Sequence, residues 1–181
     1  MSDWRTHHTR TSYENAWIRV DHNEVTTPGG SPGIYGVVHF KNLAVGVVPL
    51  DDEGHIYLVG QYRYPHDRYS WEIPEGGCPK EEDPLEAGRR ELQEETGLTA
   101  THWQELLRTD LSNSVTDESG VLYLATGLSH GTADPEDTEN LSLRRVPLTT
   151  AVEMVLRGEI TDSLSQLGIL LAARQRSDAT G

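Results

Sequence analysis

Three carboxylates, Glu91, Glu94 and Glu95, stand at i, i+3 and i+4 of a segment whose punctuation marks it as a helix. Asp83 can accept from the first free backbone N–H groups, and Pro84 is tolerated at the first helical position. Glu86, three residues after Asp83, completes a capping-box-like pair, and Gly97 can take the left-handed conformation that stops the helix. The spacing therefore predicts a helix over 84–96 of about three and a half turns, with the three carboxylates on one face. Leu85 and Leu92 share a different face that packs on a core. Clustered carboxylates repel one another without a cation, and oxygen-only ligands suit a hard divalent ion such as Mg2+ or Mn2+ better than zinc. The other reading is a solvated acidic face. Against it, Arg89 and Arg90 precede the acidic cluster instead of alternating with it.

Strands must hold this helix. Trp17–Val25 and Ile34–Phe40 read as two, separated by the turn-rich run from Thr27 to Gly33. Leu43–Leu50 reads as a buried strand, and Asp51–Gly54 as a hairpin turn into His55–Tyr62. Glu105–Asp110, Val121–Thr126 and Leu141–Val146 are further short strands. A helix is expected over Thr149–Leu156, and a last amphipathic one from about Asp162 to Arg174 with Leu164, Leu167, Leu170 and Leu171 inward. Ser177–Gly181 is expected to be disordered. Many strands with three helices give a mixed α/β class with sheet layers between helices.

The chain has 181 residues, enough for one domain with a substantial core, and a formal net charge of −14. No Lys/Arg cluster supplies the basic face that nucleic acid needs. An acidic protein can still handle an anionic phosphate substrate if metal ions bridge the two sets of charge. No stretch approaches the length of apolar sequence that spans a bilayer. The single cysteine, Cys78, excludes an internal disulfide and fits a cytoplasmic location, and the first fifteen residues lack the apolar core of a signal peptide. The eight histidines show no ligand spacing; His7 and His8 fall in a terminus expected to be mobile.

The whole run from Gly76 to Leu98 resembles the Nudix box, GX5EX7REUXEEXGU with U apolar, and fills every fixed position: Gly76, Glu82, Arg90-Glu91-Leu92, Glu94-Glu95, Gly97-Leu98. The resemblance implies an α/β/α sandwich with a mixed sheet over roughly residues 41–174. It also implies that Glu91, Glu94, Glu95 and the backbone carbonyl of Glu75 bind metal. By the same resemblance Arg90 joins the catalytic set by holding the loop and helix in shape, with Glu82 as its counterpart.

Two flanks narrow the subgroup. Gln61-Tyr62-Arg63-Tyr64 and Trp71-Glu72-Ile73-Pro74-Glu75-Gly76-Gly77 are similar to the QYR and WEIPEGG stretches of ADP-ribose and nucleoside-diphosphate-sugar pyrophosphatases. In that subgroup residues 1–40 would form an extra β segment serving a homodimer and part of the substrate pocket, leaving 175–181 as a tail. Ser112-Asn113-Ser114 stands where ADP-ribose enzymes tend to carry proline, which favours a broader or different nucleotide sugar. The implied reaction is metal-assisted hydrolysis of a diphosphate to a nucleoside monophosphate and a sugar 1-phosphate. The general base implied is Glu139, with Asp137 and Glu136 behind it and Glu94 as rival. Arg63 suits bidentate phosphate contact, and Trp17 and Tyr35 are candidates for stacking on a base. Within the family, a nucleoside triphosphate or dinucleoside polyphosphate hydrolase lacks these flanks. A non-catalytic Nudix-like sensor would tend to lose box glutamates, and an isomerase would want its own cysteine and glutamate motifs.

Overall fold

A computed structural model of the protein describes residues 3–132 and 141–180. Ten strands and three α-helices are seen among them, in the order β1 (Arg5–Glu14), β2 (Ile18–Thr26), β3 (Pro32–Phe40), β4 (Leu43–Pro49), β5 (His55–Arg63), β6 (Arg68–Glu72), β7 (Glu75–Cys78), α1 (Pro84–Thr96), β8 (Leu98–Asp110), β9 (Ser119–His130), β10 (Ser142–Pro147), α2 (Leu148–Leu156) and α3 (Ser163–Thr180). They make three sheets: antiparallel β1-β2-β3, antiparallel β10-β5-β6, and mixed β7-β4-β9-β8, in which β4 and β9 run parallel.

Alternation along β4 shows how the layers form. Val45 and Val47, fully buried, point toward Ala87 and Leu92 of α1, while Val48 joins Ile73, Leu164 and Ile169 on the α3 side. A strand with apolar groups on both faces must be covered on both, so α1 lies on one side and α2 with α3 on the other. The expected α/β/α sandwich with an N-terminal β-rich segment is the observed architecture.

Helix α1 occupies the predicted residues because its ends are chemically fixed. Asp83 accepts from the Leu85 and Glu86 amides, a cap that contributes about 1 kcal/mol, and Gly97 closes the helix at φ 70°. The Glu86 side chain, however, bonds Arg89 and does not reach back to the cap.

Several expectations are corrected. The strand expected to begin at Glu105 starts at Leu98, and its partner β9 is twelve residues long. Thr99–Gln104 is mostly polar and mostly exposed, so apolar alternation does not mark the first half of β8. The Asp51–Gly54 turn joins strands of different sheets, linked by the single bridge Leu50–Ile56. Leu170 of α3 faces outward, while Leu164, Gly168, Ile169 and Ala172 face the core. α3 also continues to Thr180, through the stretch expected to be a disordered tail. His7 and His8 belong to β1, with His7 Nε2 2.7 Å from Thr26 Oγ1, so that terminus is ordered by pairing with β2. No described helix is long and apolar enough to cross a membrane.

Candidate active site

The box is a loop and helix tied by one guanidinium. Arg90 binds both oxygens of Glu82 (3.2 and 3.1 Å) and the Gly77 carbonyl (3.0 Å), and its Nη1 reaches Glu91 (2.7 Å) and Glu94 (3.0 Å). All of these partners lie inside the box, so Arg90 acts by positioning and its planar fork is the reason it is arginine. Nearby carboxylates outweigh partial burial and hold it firmly protonated: the Glu82 bond acts most strongly, followed by Glu91 and Glu94.

Glu91 and Glu95, one turn apart, are buried; Glu94 stands at the half-exposed rim. Glu95 Oε2 accepts from the Glu75 amide (3.0 Å), fastening helix to β7. Gly76 lies so close to the Glu91 carboxylate that a Cβ would meet it at 2.1–2.3 Å. A side chain at 76 would displace the Glu91 carboxylate, so glycine lets it stand where it does.

Among the described residues no three His, Cys, Asp or Glu side chains stand in metal-holding geometry as they are, since the Arg90 fork lies between Glu91 and Glu94. The donor set nevertheless fits a hard divalent ion: it is oxygen-only, Gly76 leaves a cradle that a Cβ would fill, and the buried Glu75 Oε2 has no hydrogen-bond donor. Burial, followed by the charges of Asp162 and Glu72, pushes the Glu75 carboxyl well above the usual range, with Arg63 opposing. A cation would relieve that pressure.

Two lobes of one cleft meet beside Glu75. The first, of ≈ 470 Å³, is polar and lined by Arg63, His66, Arg68, Ser70, Glu72 and Thr161 among others; the second, of ≈ 410 Å³, is rimmed by Trp17 and Phe40 and floored by Gly76 and Gly77. Arg63, Glu75 and Asp162 belong to both. Arg63 is thus at the site, but its Nε and Nη2 already bond Glu72 (3.1 and 2.9 Å to Nε) and Glu75 (2.8 Å to Nη2). Burial works against its charge, and the Glu72 bond with the Glu75 and Glu72 charges outweighs it.

Trp17, 70% exposed, overhangs the second lobe. Tyr35 does not line it: its ring packs edge-on against Trp4 and its hydroxyl donates to the Ser114 carbonyl (2.6 Å). Glu139, Glu136 and Asp137 lie outside the described residues.

Three cleft carboxylates were missed as site residues by sequence reasoning. Asp162 caps α3, accepting from the Ser165 amide at 2.7 Å, and its place between a turn and a helix was the available signal. Glu72 was in view only as part of a motif, and its pairing across the β5-β6 hairpin gave it a task. Glu118 enters the second lobe, where burial and then the Asp162 charge push its carboxyl up.

Residues 40–164 match the model of the NUDIX domain, and residues 4–38 that of the nucleoside diphosphate sugar hydrolase N-terminal domain. An ADP-ribose pyrophosphatase of Mycobacterium tuberculosis is 37% identical over 172 residues, covering 93% of this chain and 82% of the relative. A CMP-5'-(N-acetyl-N-hydroxy-3-aminopropyl)phosphonate hydrolase of Streptomyces rubellomurinus is 28% identical over 92% of this chain and 81% of that one. The crystal structure of an ADP compounds hydrolase superposes with a TM-score of 0.88 at 20% identity, covering 100% of this chain and 97% of the other, a likeness of fold. With its box complete and the NUDIX domain matched over more than half of its residues, the chain belongs to the Nudix family of hydrolases.

Proposed function

We propose that this Nudix hydrolase cleaves the diphosphate linkage of a nucleoside diphosphate sugar, ADP-ribose or a close relative, to a nucleoside monophosphate and a sugar phosphate. One observation carries the reading: the aromatic-rimmed lobe and the polar lobe share Arg63, Glu75 and Asp162 beside the box. A two-part substrate with its base by Trp17 and Phe40 and its sugar by Arg68, His66 and Ser70 puts its diphosphate over that shared wall. For ADP-ribose, whose diphosphate joins two 5′-oxygens, the sugar product is a 5-phosphate. The similarity to an ADP-ribose pyrophosphatase supports the substrate class.

Glu91, Glu94, Glu95 and the Glu75 carbonyl would hold Mg2+, with Mn2+ as a substitute. Mg2+ supplies neutralisation of the diphosphate and a water of lowered pKa. Arg90 fixes the loop against the helix so that these oxygens converge. Arg63, steadied by Glu72 and Glu75 through Nε and Nη2, offers Nη1 to a phosphate oxygen. Glu139 takes the proton from the attacking water in this reading, with Asp137 and then Glu136 as candidates behind it and Glu94 as the alternative at the rim.

Homodimerisation also belongs to the proposal. Every residue of β1, an edge strand, is exposed, as are Trp4, Tyr13, Trp17 and Ile34 of the same N-terminal segment. Long exposed edges are usually covered. Light scattering of the purified protein reads the mass directly. The single buried cysteine accords with a reducing, cytoplasmic compartment.

The deciding experiment is a Mg2+-containing panel of ADP-ribose, ADP-, GDP- and UDP-sugars, CDP-alcohols and nucleoside triphosphates, read by phosphatase-coupled phosphate release. ADP-ribose or another nucleotide sugar should be turned over best. Turnover of triphosphates alone would refute the substrate class.

A further inference from the structure

Two segments 78 residues apart in sequence meet just outside the aromatic lobe. His39 ends one of them, one residue before Phe40; Asp117 ends the other, one residue before Glu118. Phe40 and Glu118 both line the lobe. His39 Nδ1 lies 2.6 Å from Asp117 Oδ2, and the Phe40 amide donates to Asp117 Oδ1 (2.9 Å). The backbones pair as well: the Val38 amide donates to the Val115 carbonyl (2.9 Å) and the Asp117 amide to the Val38 carbonyl (3.2 Å). The 112–118 loop is thereby added to the edge of β3.

The imidazole is held from behind. Its Nε2 lies 3.3 Å from Asp21 Oδ2, and Asp21, 5% exposed, accepts from Thr11 (2.8 Å) and Arg19 (3.1 Å). A chain of contacts thus runs from β1 through β2 and β3 to the loop. Burial opposes the charge on Asp117, but the bonds from His39 and the Phe40 amide win and keep its carboxyl below the usual range.

We propose that Asp117 is a positioning residue for the substrate cleft: clipped to β3 by His39 and the Phe40 amide, it sets where Glu118 and Phe40 stand in the aromatic lobe. The inference rests on the nucleotide-sugar reading of that cleft. The Asp117 side chain is 50% exposed and that of His39 30%. Polar contacts so exposed contribute little to global stability, so the clip acts locally and its loss leaves a folded protein. The loop lacks proline to stiffen it, and the contacts with the N-terminal sheet take over that task.

The test compares Asp117→Ala, Asp117→Asn and His39→Ala in the full chain. With the best nucleotide sugar and Mg2+, Asp117→Ala and His39→Ala should raise KM by about tenfold with kcat kept within about threefold, and Asp117→Asn, which keeps an acceptor for the Phe40 amide and can donate its amide N–H to His39 Nδ1, should restore KM to within about threefold. Amide hydrogen exchange without substrate should quicken at 112–118 in Asp117→Ala and stay unchanged in α1. An unmoved KM in both alanine variants, or a fall in kcat alone, overturns the proposal. If the wild-type protein turns over no nucleotide sugar, the reaction reading fails by itself. The clip is then judged on exchange, and unaltered protection of 112–118 overturns it.

Discussion

The box and the 112–118 loop border the same cleft and are held by opposite means. In the box, Arg90 finds Glu82, Gly77, Glu91 and Glu94 within thirteen residues of itself. The loop has its own turn bonds onto the Ser112 carbonyl, but it is anchored in place by Tyr35, Val38, His39 and Phe40, more than seventy residues away. In the proposed reaction the first region would handle the chemistry, and it carries its own scaffold. The second would border the substrate and leans on the N-terminal sheet for its anchorage. The division fits a family in which one reaction serves many substrates, because the second region can change without disturbing the box.

The sharpest way to break this contrast is to remove charge from the box without removing shape. Glu95→Gln keeps an acceptor for the Glu75 amide, and Glu94→Gln keeps one for Arg90, so both variants should fold. Each should lower kcat by about 10²–10⁴-fold, because a neutral amide is a poor ligand for a hard cation and cannot serve as a base. Steady-state kinetics with circular dichroism checks this. Near-normal rates in both would remove these glutamates from the metal site.

Gly76→Ala asks the box for space instead of charge. The added methyl would enter the volume of the Glu91 carboxylate, which must then swing away from β7. A kcat lowered by about 10–100-fold is expected, with a stability loss of about 1–3 kcal/mol read from thermal melts, smaller than the cost of losing a ligand outright. Wild-type rates would mean that Glu91 need not stand where it does.

How much of this was legible in the sequence follows the same division. α1 fell on the predicted residues because Asp83, Pro84 and Gly97 act on their immediate neighbours. The Arg90–Glu82 pair was foreseen from a resemblance whose residues all lie close together. β1 went unread because Arg5–Glu14 is exposed throughout and carries no apolar alternation; only pairing with β2 makes it a strand. β7 was hidden in Glu75–Cys78, where two glycines argue against a strand until β4 is alongside. Arg63 was placed at the site, yet its engagement with Glu72 depends on a hairpin register that spacing does not announce. Local chemistry reads from sequence; contacts made across sheets do not.

Trp17 and Tyr35 give the finest test, since both were candidates for stacking and the fold separates them. Trp17 overhangs the aromatic lobe, and removing its ring should cost a stacked base about 1–2 kcal/mol, so Trp17→Ala should raise KM by about tenfold while kcat holds. Tyr35 touches Trp4 and the Ser114 carbonyl instead. Tyr35→Phe deletes one exposed hydrogen bond to a loop that keeps its backbone pairing with Val38, so KM should move by no more than about twofold. If Tyr35→Phe instead matched Trp17→Ala, the loop would depend on that single hydroxyl and the clip at Asp117 would be secondary. If Trp17→Ala were silent, the base would have to lie in the polar lobe, and the orientation proposed for the substrate would reverse.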